Sequence, residues 1–159
     1  METLSHPFPP VYDASSRILI LGSFPSVKSR ETAFFYGHPQ NRFWRVIAHC
    51  FGEPVPMTTD EKKTLLLRHG LALWDVIESC EIKGSSDASI RDVVPTDIER
   101  LIGETHIGRI ILNGKTAERY FHRFYPAPRV SVVTAPSTSP ANASWSFERL
   151  CGMWGEVLK

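Results

Sequence analysis

Four short apolar runs, spaced by segments of helical pattern, constrain the fold of this chain more than any other feature. They are Arg17 to Leu21, Leu71 to Trp74, Arg109 to Leu112 and Val130 to Thr134. Each is long enough for a buried strand and too short for a helix. Between them, Asn41 to Phe51 carries Phe43, Val46, Ile47 and Cys50 on one helical face. Thr58-Thr-Asp-Glu61 is a capping-box pattern that opens a second helix, and Gly70 ends it by entering the left-handed region readily. Thr96-Asp-Ile-Glu99 opens a helix through Ile102 in the same way. Gly114 to Phe124 forms another, and a last one runs from about Ser144 to Leu158.

Buried strands joined through helices require crossovers. The pattern therefore predicts an α/β fold: a three-layer α/β/α sandwich around a central four-stranded, mainly parallel sheet. In such a sheet the loops after Leu21, Trp74, Leu112 and Thr134 open on one edge, where ligands bind. Residues 17–159 read as a single domain. Residues 1–16, METLSHPFPPVYDASS, read as an extended arm lying on it, because the prolines disfavour a helix. The arm has neither the basic start nor the apolar core of a signal peptide.

Composition enters as a set of exclusions. A chain of 159 residues, 42% hydrophobic, supports one core, and no apolar run is long enough to span a membrane. Cys50, Cys80 and Cys151 are widely spaced and no CxxC pair occurs, which argues against a zinc site, an iron–sulfur cluster or a disulfide framework. The expectation is a cytoplasmic monomer without metal or cofactor. A net charge of +1 excludes a strongly basic polyanion sink. Gripping a few phosphates needs only a local patch, and Lys28, Arg30, Arg42 and Arg45 cluster in sequence; ordinary solvated surface charge is the plain alternative.

The loop after the first strand holds most of the chemistry. Gly22-Ser23-Phe24-Pro25-Ser26 is followed by Phe35, Tyr36 and Gly37-His38-Pro39-Gln40-Asn41. A flat ring beside an amide and small turn residues suits a flat, polar ligand such as a nucleobase. Each residue also has a purely structural reading. Asn41 is placed to cap the helix after it, Tyr36 to be a core ring, and His38 to brace a turn. Asp75 is placed to cap the segment VIESC, and Asn113-Gly114 to turn the chain. Ser85, Ser86, Asp87 and Ser89 form a polar loop, and Ala135 to Ala143 a Pro/Ser/Thr-rich turn. No GxSxG elbow marks a serine hydrolase.

GSFPS followed by YGHPQNRFW resembles the first motif of the uracil-DNA glycosylase superfamily. The likeness is closest to the mismatch-specific enzymes and, closer still, to the hypoxanthine (deoxyinosine)-DNA glycosylase branch. It continues through LALWDV, ILNGKTA and APSTSPANAS, so it spans roughly Arg17 to Trp154. It implies hydrolysis of the bond between sugar C1′ and a rotated-out base, with positive charge growing on the sugar and negative charge on the departing base.

The resemblance also assigns residues. The position that usually orients the water is Phe24 here, so the role passes to Asn41, acting by positioning rather than as a strong base. Tyr36 matches the aromatic that stacks on the base. Asp75 stands where uracil enzymes place asparagine; as an acceptor it favours hypoxanthine, which carries N1–H, over adenine, which does not. Ser137 replaces the usual His or Asn donor to the leaving base. Gly22, Ser23, Pro25, His38 and Asn113 complete the base pocket, with Phe24 as its other wall. Ser26, Lys28, Ser139 and Pro140 would meet DNA, with Ala141 and Asn142 at the wedge position. No lysine stands where a Schiff-base nucleophile would, which implies a monofunctional enzyme. The implied partner is DNA containing deaminated bases, with no membrane involved. Uracil or mismatch activity on the same scaffold is one alternative. Another is a non-catalytic nucleotide- or DNA-binding α/β module, suggested by the losses at positions 24 and 137.

Overall fold

Alternation of side chains along fully buried strands divides this molecule into layers. The computed structural model describes residues 2–83 and 89–159, with the backbone alone at Glu2 and Lys28. In chain order the elements are β1 (Glu2–Ser5), β2 (Ile18–Gly22), α1 (Val27–Thr32), α2 (Phe43–Phe51), α3 (Thr59–Arg68) and β3 (Leu71–Asp75). Then come β4 (Ile77–Ile82), β5 (Arg91–Pro95), α4 (Ile98–Gly103), β6 (Arg109–Asn113), α5 (Lys115–Phe124), β7 (Ser131–Ala135) and α6 (Phe147–Val157).

The four expected strands form one sheet in the order β3-β2-β6-β7, every neighbouring pair parallel. Ile20, Leu71, Leu73 and Ile111 face a core shared with α2, α3 and α6. Leu19, Leu21, Ala72, Ile110 and Leu112 face the opposite core, shared with α4 and α5. This is the three-layer α/β/α sandwich. The chain steps from β2 to β3 on one side, then recrosses to β6 on the other. The switch point between β2 and β6 opens a crevice beyond their carboxyl ends.

Local signals place the helices closely. The capping box of α3 forms in full, Glu61 N donating to Thr58 Oγ1 (3.1 Å) and Thr58 N to Glu61 Oε1 (2.9 Å). Gly70 follows it at φ +70°. The second capping box does not form at Thr96. Asp97 caps α4 by accepting from Arg100 N, while buried Thr96 donates its hydroxyl to the Asp75 carbonyl at 2.8 Å. Helix α2 starts at Phe43 rather than Asn41, and α6 at Phe147 behind a Ser146 cap.

A second sheet, β1-β4-β5, is antiparallel throughout and lies outside the pattern-based expectation. Two irregularities of register between β4 and β5 break the period-two alternation that marks a strand. The N-terminal residues supply β1 to this sheet. Further on, Val11 and Leu73 exchange both backbone hydrogen bonds at 2.9 Å, covering the outer edge of β3. Ser85, Ser86 and Asp87 lie outside the described residues. Ser89 accepts from Lys83 N at 2.8 Å.

Candidate active site

A cavity of about 800 Å³ opens at the carboxyl ends of β2, β3 and β6. Its lining includes Gly22 to Ser26, Tyr36, His38, Asn41, Asp75, Asn113, Ser137 and Ser139 to Ala141. The structure thus gathers nearly every site residue predicted from the sequence around one space of ligand size. Asn142 stands behind the lining, and the side chain of Lys28 lies outside the described part. An apolar groove of about 260 Å³ at the other end of the sheet, by α4 and Val130, brings no comparable set of polar groups together.

One wall is built from the segment between β2 and α2. Gly22 must be glycine: a Cβ there would lie 2.5 Å from Asp75 Oδ1 and 2.8 Å from the Tyr36 hydroxyl. Ser26 caps α1 by accepting from Ser29 N at 3.1 Å. Buried Ser29, unremarked in the sequence, accepts from Gly37 N at 2.9 Å and so pins the following turn. That turn holds Tyr36 at φ +54°, a left-handed conformation that is costly for a side-chain-bearing residue. The Tyr36 ring stacks on Phe43 with centroids 4.2 Å apart. Its hydroxyl is buried without a hydrogen-bond partner. Burial, and then the nearby Asp75 charge, push that phenol far above its ordinary range, so it stays protonated and able to donate.

Asn41 serves the backbone and still faces the cleft. Its Oδ1 accepts from Phe43 N at 2.9 Å, the capping role, although the formal cap position is Arg42. Its Nδ2 has no hydrogen-bond partner among the described residues. His38 braces the turn, its Nδ1 accepting from Gln40 N at 3.1 Å and its carbonyl from Asn41 N at 3.0 Å. Phe24 lines the cleft, with the edge of His6 against it at 6.0 Å.

Asp75, 3% exposed, ends β3 at the back of the cleft. The segment VIESC after it runs into strand β4, so Asp75 has no helix to cap. Its Oδ2 lies 2.8 Å from His6 Nε2 in a buried pair. His6 escaped the sequence reading because nothing in the local run His6-Pro7-Phe8-Pro9 signals a partner on β3.

The other wall is the loop from Ser137 to Asn142, held largely by groups that do not belong to it. Asn113 uses both ends of its amide on buried Thr138: Nδ2 donates to Oγ1 and Oδ1 accepts from N, both at 3.1 Å. Asn113 therefore braces this loop, and with Gly114 at φ +95° it also turns the chain from β6 into α5, as expected. Arg42 donates its guanidinium to the carbonyls of Asn142 and Trp145, and its backbone N to Thr138 O. This corrects its place in the phosphate-binding patch, since its donors are turned inward. Asn142 also folds inward, donating to Ser137 O at 2.9 Å, and leaves exposed Ala141 at the tip. Ser137 Oγ accepts from Ser139 N at 3.1 Å, so its own proton is free to be donated. Gly114, at φ +95°, lets this loop approach: a Cβ there would lie 2.9 Å from Ser137 Cβ. Behind it α5 begins without a side-chain cap and turns Lys115 and Thr116 to the cleft. The unsatisfied amides of a first helical turn favour negative charge. Among the described residues no cluster of three or more His, Cys, Asp or Glu could hold a metal ion.

Fold and cleft define a parallel α/β protein with an aromatic and polar crevice at its switch point. Comparison with known proteins is specific about which kind. Residues 9–156 match the model of the uracil DNA glycosylase superfamily. Over 144 residues the chain is 36% identical to a hypoxanthine DNA glycosylase of Methanosarcina acetivorans, covering 89% of this chain and 90% of that one. It is 33% identical to a hypoxanthine DNA glycosylase of Methanosarcina barkeri over 154 residues, 96% of each. A solution NMR structure from Methanosarcina acetivorans, described as that of a candidate uracil DNA glycosylase, superposes with a TM-score of 0.85 at 31% identity, covering 99% of this chain and 97% of the other. The chain belongs to the uracil DNA glycosylase superfamily.

Proposed function

We propose that this protein is a monofunctional DNA glycosylase that hydrolyses the N-glycosidic bond of a deaminated base, hypoxanthine foremost. One observation carries the reading: a ring, an amide and a buried acceptor converge on the cleft where the two motif loops meet, and each keeps unspent capacity. Tyr36 has one ring face on Phe43, and no second ring covers the other among the described residues. Stacking a base there is worth about 1–3 kcal/mol against an extrusion cost of a few kcal/mol. Asp75 Oδ1, beside Gly22, takes no partner among the described residues and is placed to accept from N1–H of hypoxanthine. Uracil offers an equivalent donor at N3, so the same acceptor makes it the second candidate.

Asn41 would hold water toward C1′ through Nδ2 and the remaining lone pair of Oδ1. Being neutral, it orients the nucleophile and removes little proton density, so the barrier falls mainly through geometry. The departing base is a developing anion. The uncapped start of α5 and the Ser137 hydroxyl are donors on the cleft for it, and the Tyr36 hydroxyl, buried beside Gly22 with its pKa raised, holds a further proton. Ala141, exposed at the loop tip, would approach the vacated stack, while the inward-turned Asn142 supports it.

The test is alkali-revealed cleavage of oligonucleotides containing inosine, uracil, xanthine or a thymine mismatch in one sequence context. Fastest release from inosine is expected. Release of uracil but not hypoxanthine would transfer the assignment to the uracil enzymes. Binding of all four without abasic product would leave a non-catalytic binding module.

A further inference from the structure

Asp75 is a carboxylate buried at the back of a cleft, and what fixes its behaviour is His6 from the N-terminal strand region. His6 follows β1 directly, and its backbone N donates to Glu78 O on β4, so the antiparallel sheet sets its position. Its side chain is only 1% exposed. Phe8, Phe24 and Phe35 pack around the ring at centroid distances of 5.0, 6.0 and 5.7 Å. Nδ1 lies 2.7 Å from the Phe8 carbonyl oxygen, and Nε2 lies 2.8 Å from Asp75 Oδ2. Both ring nitrogens are thereby satisfied in a setting where an unsatisfied polar group would be costly.

The proton count follows from these partners. A carbonyl oxygen can only accept, and its 2.7 Å contact is far shorter than the 3.4 Å from Phe8 N, so Nδ1 carries a hydrogen. Nε2 and Oδ2 then share one further proton between them, on the imidazole or on the carboxyl. In either state the pair is neutral overall, and Asp75 Oδ1 carries no hydrogen. It can only accept.

We infer that His6 is a specificity-determining positioning residue: it commits Asp75 Oδ1 to the role of acceptor facing the flipped base, and so favours bases carrying N–H at that edge. This rests on the reading of Asp75 as the base reader. Without His6 nothing in the structure assigns a proton to Oδ2, and Asp75 becomes free to turn or to present a hydroxyl donor, which suits a bare ring nitrogen such as N1 of adenine.

The experiment compares single-turnover excision from matched oligonucleotides carrying a single inosine or a single adenine, with full-length protein and thermal unfolding in parallel. His6→Ala should lower the inosine-over-adenine ratio about tenfold to a hundredfold, the range for a charge-assisted buried hydrogen bond. His6→Gln, whose amide reaches the same place as Nε2 and pairs with Oδ2 by donating to it or accepting from it, leaves Oδ1 the acceptor and should restore most of the ratio. In an Asp75→Asn background, His6→Ala should change the ratio no further. A His6→Ala protein that melts early but keeps the wild-type ratio would overturn the inference and leave His6 a packing residue. A His6→Gln protein as indiscriminate as His6→Ala would overturn it too. If Asp75→Asn alone keeps the ratio, the base-reading role itself fails, and that outcome is visible without any His6 variant.

Discussion

The two walls of the cleft are built on opposite principles. The Ser137–Asn142 loop has most of its polar groups occupied within the protein: Asn113 takes Thr138, Arg42 takes two of its neighbouring carbonyls, and Asn142 closes on Ser137. The Gly22–Asn41 wall is held by ring packing, a helix cap and a left-handed tyrosine, and keeps the Tyr36 hydroxyl and Asn41 Nδ2 unspent. A satisfied loop is rigid and positions what touches it, whereas an unsatisfied wall carries a standing cost that a ligand can relieve. The difference assigns water and base recognition to the Gly22–Asn41 wall, and register to the Ser137–Asn142 wall, where the Ser137 hydroxyl keeps a free proton.

The sharpest way to break that division is at Asn41. Asn41→Ala should slow single-turnover excision of hypoxanthine about 10²–10³-fold, the size of losing one preorganised catalytic group. Asn41→Ser keeps a side-chain oxygen able to cap Phe43 N but is too short to hold water at the sugar, so it should melt near the wild-type temperature and be equally slow. Wild-type rates in Asn41→Ser would reduce Asn41 to a cap.

Asn113→Ala strikes the second wall. It strands the buried Thr138 N–H, so chemical denaturation should report a loss of about 1–3 kcal/mol. Because the loop positions rather than reacts, KM should rise more than kcat falls. A fall in kcat alone would move chemistry to this wall.

The smallest effect is expected at Tyr36→Phe. The lost hydroxyl has no partner in the free protein, so stability should stay level or rise by up to about 1 kcal/mol. Hypoxanthine excision should nevertheless weaken by up to about tenfold, the value of one hydrogen bond. A destabilised Tyr36→Phe protein would mean that the hydroxyl is not waiting for a ligand.

What was readable in the sequence divides along the same physical line. Strand runs, the α3 capping box and the Gly70 stop are governed by neighbours within a turn or two, and they appear where the pattern puts them. The capping box at Thr96 misled because the same pattern of residues was used differently. Once Thr96 was buried beside β3, its hydroxyl found the Asp75 carbonyl, and Asp97 took over the cap. Arg42 misled for a similar reason: a cation near a motif reads as a phosphate ligand until burial shows its donors satisfied by carbonyls on a distant loop.

By itself the sequence determined the parallel sheet, the edge at which its loops converge and, through motif resemblance, the residues that line the cleft. Those follow from periodicity and strand direction, which act locally and repeat along the chain. Only the tertiary structure decided which cleft residues are spent and which are free, and that a histidine from the N-terminal arm pairs with Asp75. Hydrogen-bond partnership in a buried site depends on which groups are removed from water together. For His6 and Asp75, brought together by the antiparallel sheet, no local pattern records it.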